Sequence, residues 1–80
     1  MPSRTKRRTR VVLDVDRFTQ EIRRRGWLTQ AEAASRIGIT EGTLSKILSG
    51  KTGPSPLTID RIVTALGVDY GVLFHTEELS

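Results

Sequence analysis

The stretch from Gln30 to Ser49, Q-A-E-A-A-S-R-I-G-I-T-E-G-T-L-S-K-I-L-S, constrains the fold more than any other part of the chain. Ala33 and Ile37 are four residues apart and share one face of a helix. Leu44 and Ile47 are three apart and do the same on a second. Ile39 lies between them and is expected to plug the gap. Gly38 can take the positive φ that stops a helix abruptly. Ala34 is small, so the second helix can cross close to the first; a larger side chain would push the two apart. Thr29 and Glu32 form a T-x-x-E capping box, Thr40 can cap the following helix, and Gly50 ends it. Two short helices locked across a tight turn satisfy all of these signals together.

Other helices follow from the same rules. Asp14 or Asp16 can cap a first helix ending near Arg25, with Val15, Phe18 and Ile22 as its buried face. Arg23, Arg24 and Arg25 crowd its last turn, where they offset the helix dipole or reach phosphate. Gly26 stops it. Trp27 is expected in the core, and Leu28 at the staple position before Thr29. Lys51 to Ser55 is a loop; Ser55 and Pro56 open a fourth helix whose Ile59, Ile62, Val63 and Leu66 face inward. Asp69 can cap a short fifth helix holding Val72, Leu73 and Phe74. Val11 to Leu13 form an apolar run too short to assign, and His75 to Ser80 read as a frayed polar tail.

The stretch 30–49, continued by S-G-K-T-G-P-S-P-L-T-I-D-R-I-V-T-A-L-G-V, resembles the helix-turn-helix of phage repressor and Cro-like (XRE-type) DNA-binding domains. The likeness spans roughly residues 17 to 74. It implies an all-α fold, a compact five-helix bundle of the lambda-repressor-like type, with the third helix laid in the DNA major groove. The organisation expected is a disordered basic arm over residues 1–12, a helix-turn-helix domain over 13–75, and the frayed tail over 76–80. Many relatives pair an arginine at the position of Arg23 with a glutamate at that of Leu48; here Leu48 is apolar and packing replaces the pair.

Charge supports an anionic partner. Thirteen bases against nine acids give +4, but Arg4, Lys6, Arg7, Arg8 and Arg10 lie in the first ten residues with no acid among them. The other seventy residues hold eight bases and nine acids, a net of −1. The positive charge therefore belongs to the arm. It reads as a segment that tracks DNA phosphates or enters a groove, as a solubilising tail, or, least favoured, as a membrane-surface segment.

The third helix supplies the candidate readers. At about 100° per residue, Leu44, Ile47 and Leu48 face inward while Gly42, Lys46 and Ser49 face away, flanked by Thr43 and Ser45. By the resemblance, the base-reading positions map onto Glu41, Gly42 and Lys46. Lys46 can donate to guanine or to phosphate; Glu41 can accept from cytosine or serve the helix dipole. Gly42 lets the backbone approach DNA, or has no such role. Gln30, just inside the second helix, is a phosphate position in the family, and helix starts favour anions. Lys51 and Thr52 in the following loop are further phosphate candidates.

Other chemistries find little support. Gly50-Lys51-Thr52 lacks the earlier P-loop glycine, since position 45 is Ser45. His75 is the sole histidine and cysteine is absent, so neither a zinc site nor a catalytic triad is expected, and no cofactor or enzyme activity. No small-molecule ligand is evident, and no apolar run reaches the ~18 residues of a membrane span. No signal peptide is read, and the lack of cysteine fits a reducing cytoplasm. The function expected is a sequence-specific, double-stranded-DNA-binding transcriptional regulator, a phage-type repressor acting as a homodimer on DNA in the bacterial cytoplasm or nucleoid. Val11–Leu13 and Val72–Phe74 are the apolar surfaces expected to meet the second copy. The alternative is an antitoxin-like protein-interaction module on the same fold. A whole small regulator and the front piece of a longer one both remain open.

Overall fold

The computed structural model describes residues 9–78. In chain order the elements are β1 (Thr9–Leu13), α1 (Val15–Arg24), α2 (Gln30–Ile37), α3 (Glu41–Leu48), α4 (Pro56–Leu66), α5 (Tyr70–Leu73) and β2 (Phe74–Glu78). Five helices enclose one core, but the all-α expectation is corrected by a small antiparallel sheet of β1 and β2.

Four helices start on the side chains that the sequence offers. Asp14, Thr29, Thr40 and Ser55 accept hydrogen bonds from the amides of Arg17, Glu32, Thr43 and Thr58 at 3.0, 3.0, 3.1 and 3.2 Å. Each bond satisfies an amide that the first helical turn leaves without a partner. Asp69 departs from the pattern: it stands at the N-cap of α5 but makes no side-chain cap bond. A helix of four residues closes instead through backbone, with the Val72 amide donating to the Asp69 carbonyl at 3.0 Å.

The α2–α3 turn is as tight as the spacing requires. Gly38 has φ +93°, and its amide donates to Ala34 at 2.8 Å. The Arg61 guanidinium donates to the Gly38 carbonyl at 3.0 Å, tying α4 to this turn. Ala33, Ala34, Ile37, Leu44 and Ile47 are all buried beside Phe18, Ile62, Leu66 and Leu73. Ile39 is half-buried against that core.

The sheet closes the domain at its two ends. Thr9 pairs with Glu78, Arg10 with Glu77, Val11 with Thr76, Val12 with His75 and Leu13 with Phe74. A lone two-stranded ribbon is marginal in water. This one is anchored because Leu13 and Phe74 are 4% and 3% exposed, sunk in the helical core. The Asp14 amide also donates to Leu73 at 2.6 Å, extending the pairing to the helix start. Residues 76–78, read as tail, are therefore strand, and residues 79–80 lie outside the described residues.

Two side chains also sit elsewhere than expected. Val15, the first residue of α1, is 39% exposed, and the buried place on that helix goes to Glu21 at 2%. Leu28 is 80% exposed and forms no staple. Its counterpart four residues into α2 would be Ala33, a methyl already buried, and Trp27 supplies the bulk at this corner. Trp27 packs on the core with the guanidinium carbons of Arg25 and Arg36 each 6.0 Å from its ring centre.

Candidate nucleic-acid interface

Burial along α3 divides its two faces. Leu44 and Ile47 are buried and Leu48 is half-buried, while Glu41, Gly42, Thr43, Ser45, Lys46 and Ser49 are exposed. The same anchoring that fixes α3 in the core thus presents a continuous polar strip outward. A Cβ built on Gly42 would meet nothing within 4 Å, so packing does not demand glycine there. Thr43 is held by its hydroxyl contact with Thr40 at 2.8 Å, beside the helix start.

The loop after α3 is fixed to that helix rather than loosely hung from it. The Lys46 carbonyl accepts from the Lys51 amide at 3.0 Å and from the Thr52 amide at 3.5 Å. Both side chains are exposed at the C-terminal end of the polar strip. Gln30 is the first residue of α2 and half-buried. It lines a half-open cleft of about 180 Å³ with Phe18, Arg23, Trp27, Leu44 and Leu48. The cleft joins the start of α2 to the flank of α3 through Leu48. Arg23 and Leu48, the positions of the family's ion pair, both line it.

Arg10 is placed differently from the other candidates. It lies in β1 and pairs across the ribbon with Glu77 at 3.4 Å, so its charge is already partnered. It also lines a smaller cleft with Val11, Gly50, Thr52 and Gly53, which sets β1 beside the loop that follows α3. Arg4, Lys6, Arg7 and Arg8 lie outside the described residues.

Sequence reasoning missed an ion cluster on α1. Glu21 is buried and accepts from Arg25 at 2.9 Å and Arg17 at 3.1 Å, with Arg24 at 3.4 Å. Arg25 also donates to the Glu21 carbonyl at 2.8 Å and to the Leu66 carbonyl, pinning the end of α1 to the end of α4. The signal was available: Arg17 and Arg25 stand four residues either side of Glu21. Hydrogen bonds from Arg25, then Arg17, with the nearby charge of Arg24, hold the Glu21 carboxyl below the ordinary glutamate range against the opposing effect of burial.

A carboxylate with a lowered folded-state pKa stabilises the fold above its unfolded value. That contribution is lost as pH falls through the folded value. Wild-type protein should therefore lose melting temperature as pH drops below the ordinary glutamate range. Glu21→Gln should melt lower at neutral pH and vary less across that acid window. Thermal melts of both proteins from neutral to acid pH check this, and parallel curves would remove Glu21 from the account.

Among the described residues no group of three or more metal-binding side chains is assembled, and no helix is long and apolar enough to cross a membrane. Neither a curated protein nor a solved structure matches the chain. The profile of the Helix-turn-helix family matches residues 20–73, which takes in all of α2, α3, α4 and α5 and the later part of α1. With that match over more than half of its length, and with two capped helices crossing at Gly38, the chain belongs to the XRE-type helix-turn-helix family, whose members are DNA-binding regulatory domains.

Proposed function

We propose that this protein is a sequence-specific regulator of transcription, of the phage-repressor type, that lays α3 in the major groove of double-stranded DNA. The observation that carries this reading is the exposed strip of Glu41, Gly42, Thr43, Ser45 and Lys46 on a helix whose other face is buried. Glu41, Gly42 and Lys46 read bases; Gln30, Lys51 and Thr52 hold phosphates on either side and set the register. Arg4, Lys6, Arg7 and Arg8 add backbone attraction from the arm. Arg10 contributes less than they do, because Glu77 already neutralises it.

One domain of this size covers a half-site. Two copies on a two-fold operator would place their recognition helices about one turn apart, roughly 34–36 Å. Part of the surface expected to join the copies is used within the monomer: Leu13, Leu73 and Phe74 are buried, and β1 pairs with β2. Val11, Val12 and Val72 are only half-buried and keep the part of that set that a second copy could meet. Selection from a random duplex library by the purified protein tests the whole reading. A selected site with two-fold symmetry supports it; no enriched sequence would move the assignment to a protein-interaction module.

Lys46→Ala should weaken binding to the selected site by about 1–3 kcal/mol and relax preference at one base position, the expected cost of losing a direct base contact. Binding measured on the selected site and on single-base variants checks it. An equal loss on every sequence would reassign Lys46 to phosphate.

A further inference from the structure

The cations of the described residues are mostly spoken for. Arg17, Arg24 and Arg25 converge on Glu21, and Arg10 pairs with Glu77. Arg36 pairs with Glu32 at 3.5 Å, and Arg61 is bound to the Gly38 carbonyl. Three described cations remain without a protein partner: Arg23, Lys46 and Lys51. Lys46 and Lys51 lie on α3 and the loop after it. Arg23 is on α1, yet it borders the cleft that Gln30, Leu44 and Leu48 also line. Arg23 thus borders a cleft whose other walls include the start of α2 and the inner flank of α3, the two helices of the helix-turn-helix.

Leu48 explains why Arg23 is free. The α3 side chains that line the cleft with it, Leu44 and Leu48, are apolar and offer no acceptor. Its neighbours Arg24 and Arg25 turn to Glu21, while Arg23 lines the opposite side of the α1 end, in the cleft. An arginine fork held at the rim of a cleft, with no carboxylate to satisfy it, suits a bidentate anion such as phosphate.

We propose that Arg23 is a DNA-backbone contact, so that α1 joins α2, α3 and the following loop in holding the duplex. The contact is to a phosphate flanking the half-site and carries no base information. Arg17, Arg24 and Arg25, although adjacent in sequence or on the helix, do not take part, because Glu21 holds them. This rests on the DNA-binding reading above.

The test compares Arg23→Ala, Arg23→Lys and Arg24→Ala in the full chain, by salt titration on one selected duplex and one unrelated duplex. Both positions are exposed on α1, so circular dichroism and melting should match wild type for Arg23→Ala. Each phosphate neutralised adds about 0.9 to the slope of log affinity against log salt. Arg23→Ala should lower that slope by about one and weaken binding about tenfold near 0.1 M salt, equally on both duplexes. Arg23→Lys should retain most of the slope, and Arg24→Ala should leave it unchanged. An unchanged slope for Arg23→Ala, or equal losses for Arg23→Ala and Arg24→Ala, overturns the proposal while leaving DNA binding intact. Failure of the wild-type protein to bind any duplex would instead defeat the functional reading itself.

Discussion

Removal of residues 1–8 is expected to lower the salt slope of DNA binding by about three to four units, and affinity about a thousandfold near 0.1 M salt. The segment holds Arg4, Lys6, Arg7 and Arg8 and no acid. Taking these four from the thirteen bases leaves nine, which balance the nine acids of the chain. The truncated protein is thus formally neutral, and its non-specific attraction to DNA should be weak. The cut must stop at residue 8. Thr9 and Arg10 pair with Glu78 and Glu77, so a deletion through Arg10 would shorten β1 and confound charge with fold. The residual protein should keep the base preference set by α3, unless the arm itself enters the minor groove and reads A·T content. Salt titrations of full-length and truncated protein on the same duplex measure this. Equal slopes would make the arm a bystander of DNA binding.

The helices were legible in the sequence because their signals are local. Thr29, Thr40, Ser55 and Asp14 act on amides three residues away, and Gly38 ends α2 by its own backbone. The ribbon was not legible for the opposite reason. Its strands lie more than sixty residues apart. β2 reads F-H-T-E-E, with Phe74 as its single apolar residue, so no alternation marks it. What makes it a strand is the burial of Phe74 opposite Leu13, a tertiary fact. The same pairing buries Leu13 and Phe74, two residues of the apolar surface assigned to a second copy. On α1 the periodicity of Phe18 and Ile22 was sound, but it did not show that three arginines could bury a glutamate between them.

The candidate interface divides along the same line. The outward direction of Glu41, Gly42, Ser45 and Lys46 followed from helical geometry once Leu44 and Ile47 were placed inside. Which arginines are free did not follow, since Arg10, Arg23, Arg24 and Arg25 look alike in a sequence. Their partners distinguish them: Glu77 holds the first, Glu21 the last two, and Arg23 faces the cleft. Charge counted along a chain therefore overstates what is free to meet DNA: among the described residues, pairing leaves Arg23, Lys46 and Lys51 without a protein partner.

Phe18→Ala should cost about 3–5 kcal/mol of stability, the usual penalty for emptying a large aromatic site in a core. Phe18 is 0% exposed and is among the largest fully buried side chains. A domain of this length has in total only about 4–12 kcal/mol to lose. At about 4–8 °C per kcal/mol, the melting temperature should fall far enough to populate unfolded protein in ordinary conditions. Function should fail with the fold. Phe18 lines the same cleft as Leu44 and Leu48, so it backs α3 from the side of α1 and helps to set the direction of the polar strip. Leu28→Ala provides the contrast. Leu28 borders that cleft too, but at 80% exposure its truncation should change stability by no more than about 0.5 kcal/mol. Urea unfolding of the two variants beside wild type makes the comparison. A wild-type midpoint for Phe18→Ala, or a collapse for Leu28→Ala, would mean that the core is centred elsewhere than on Phe18.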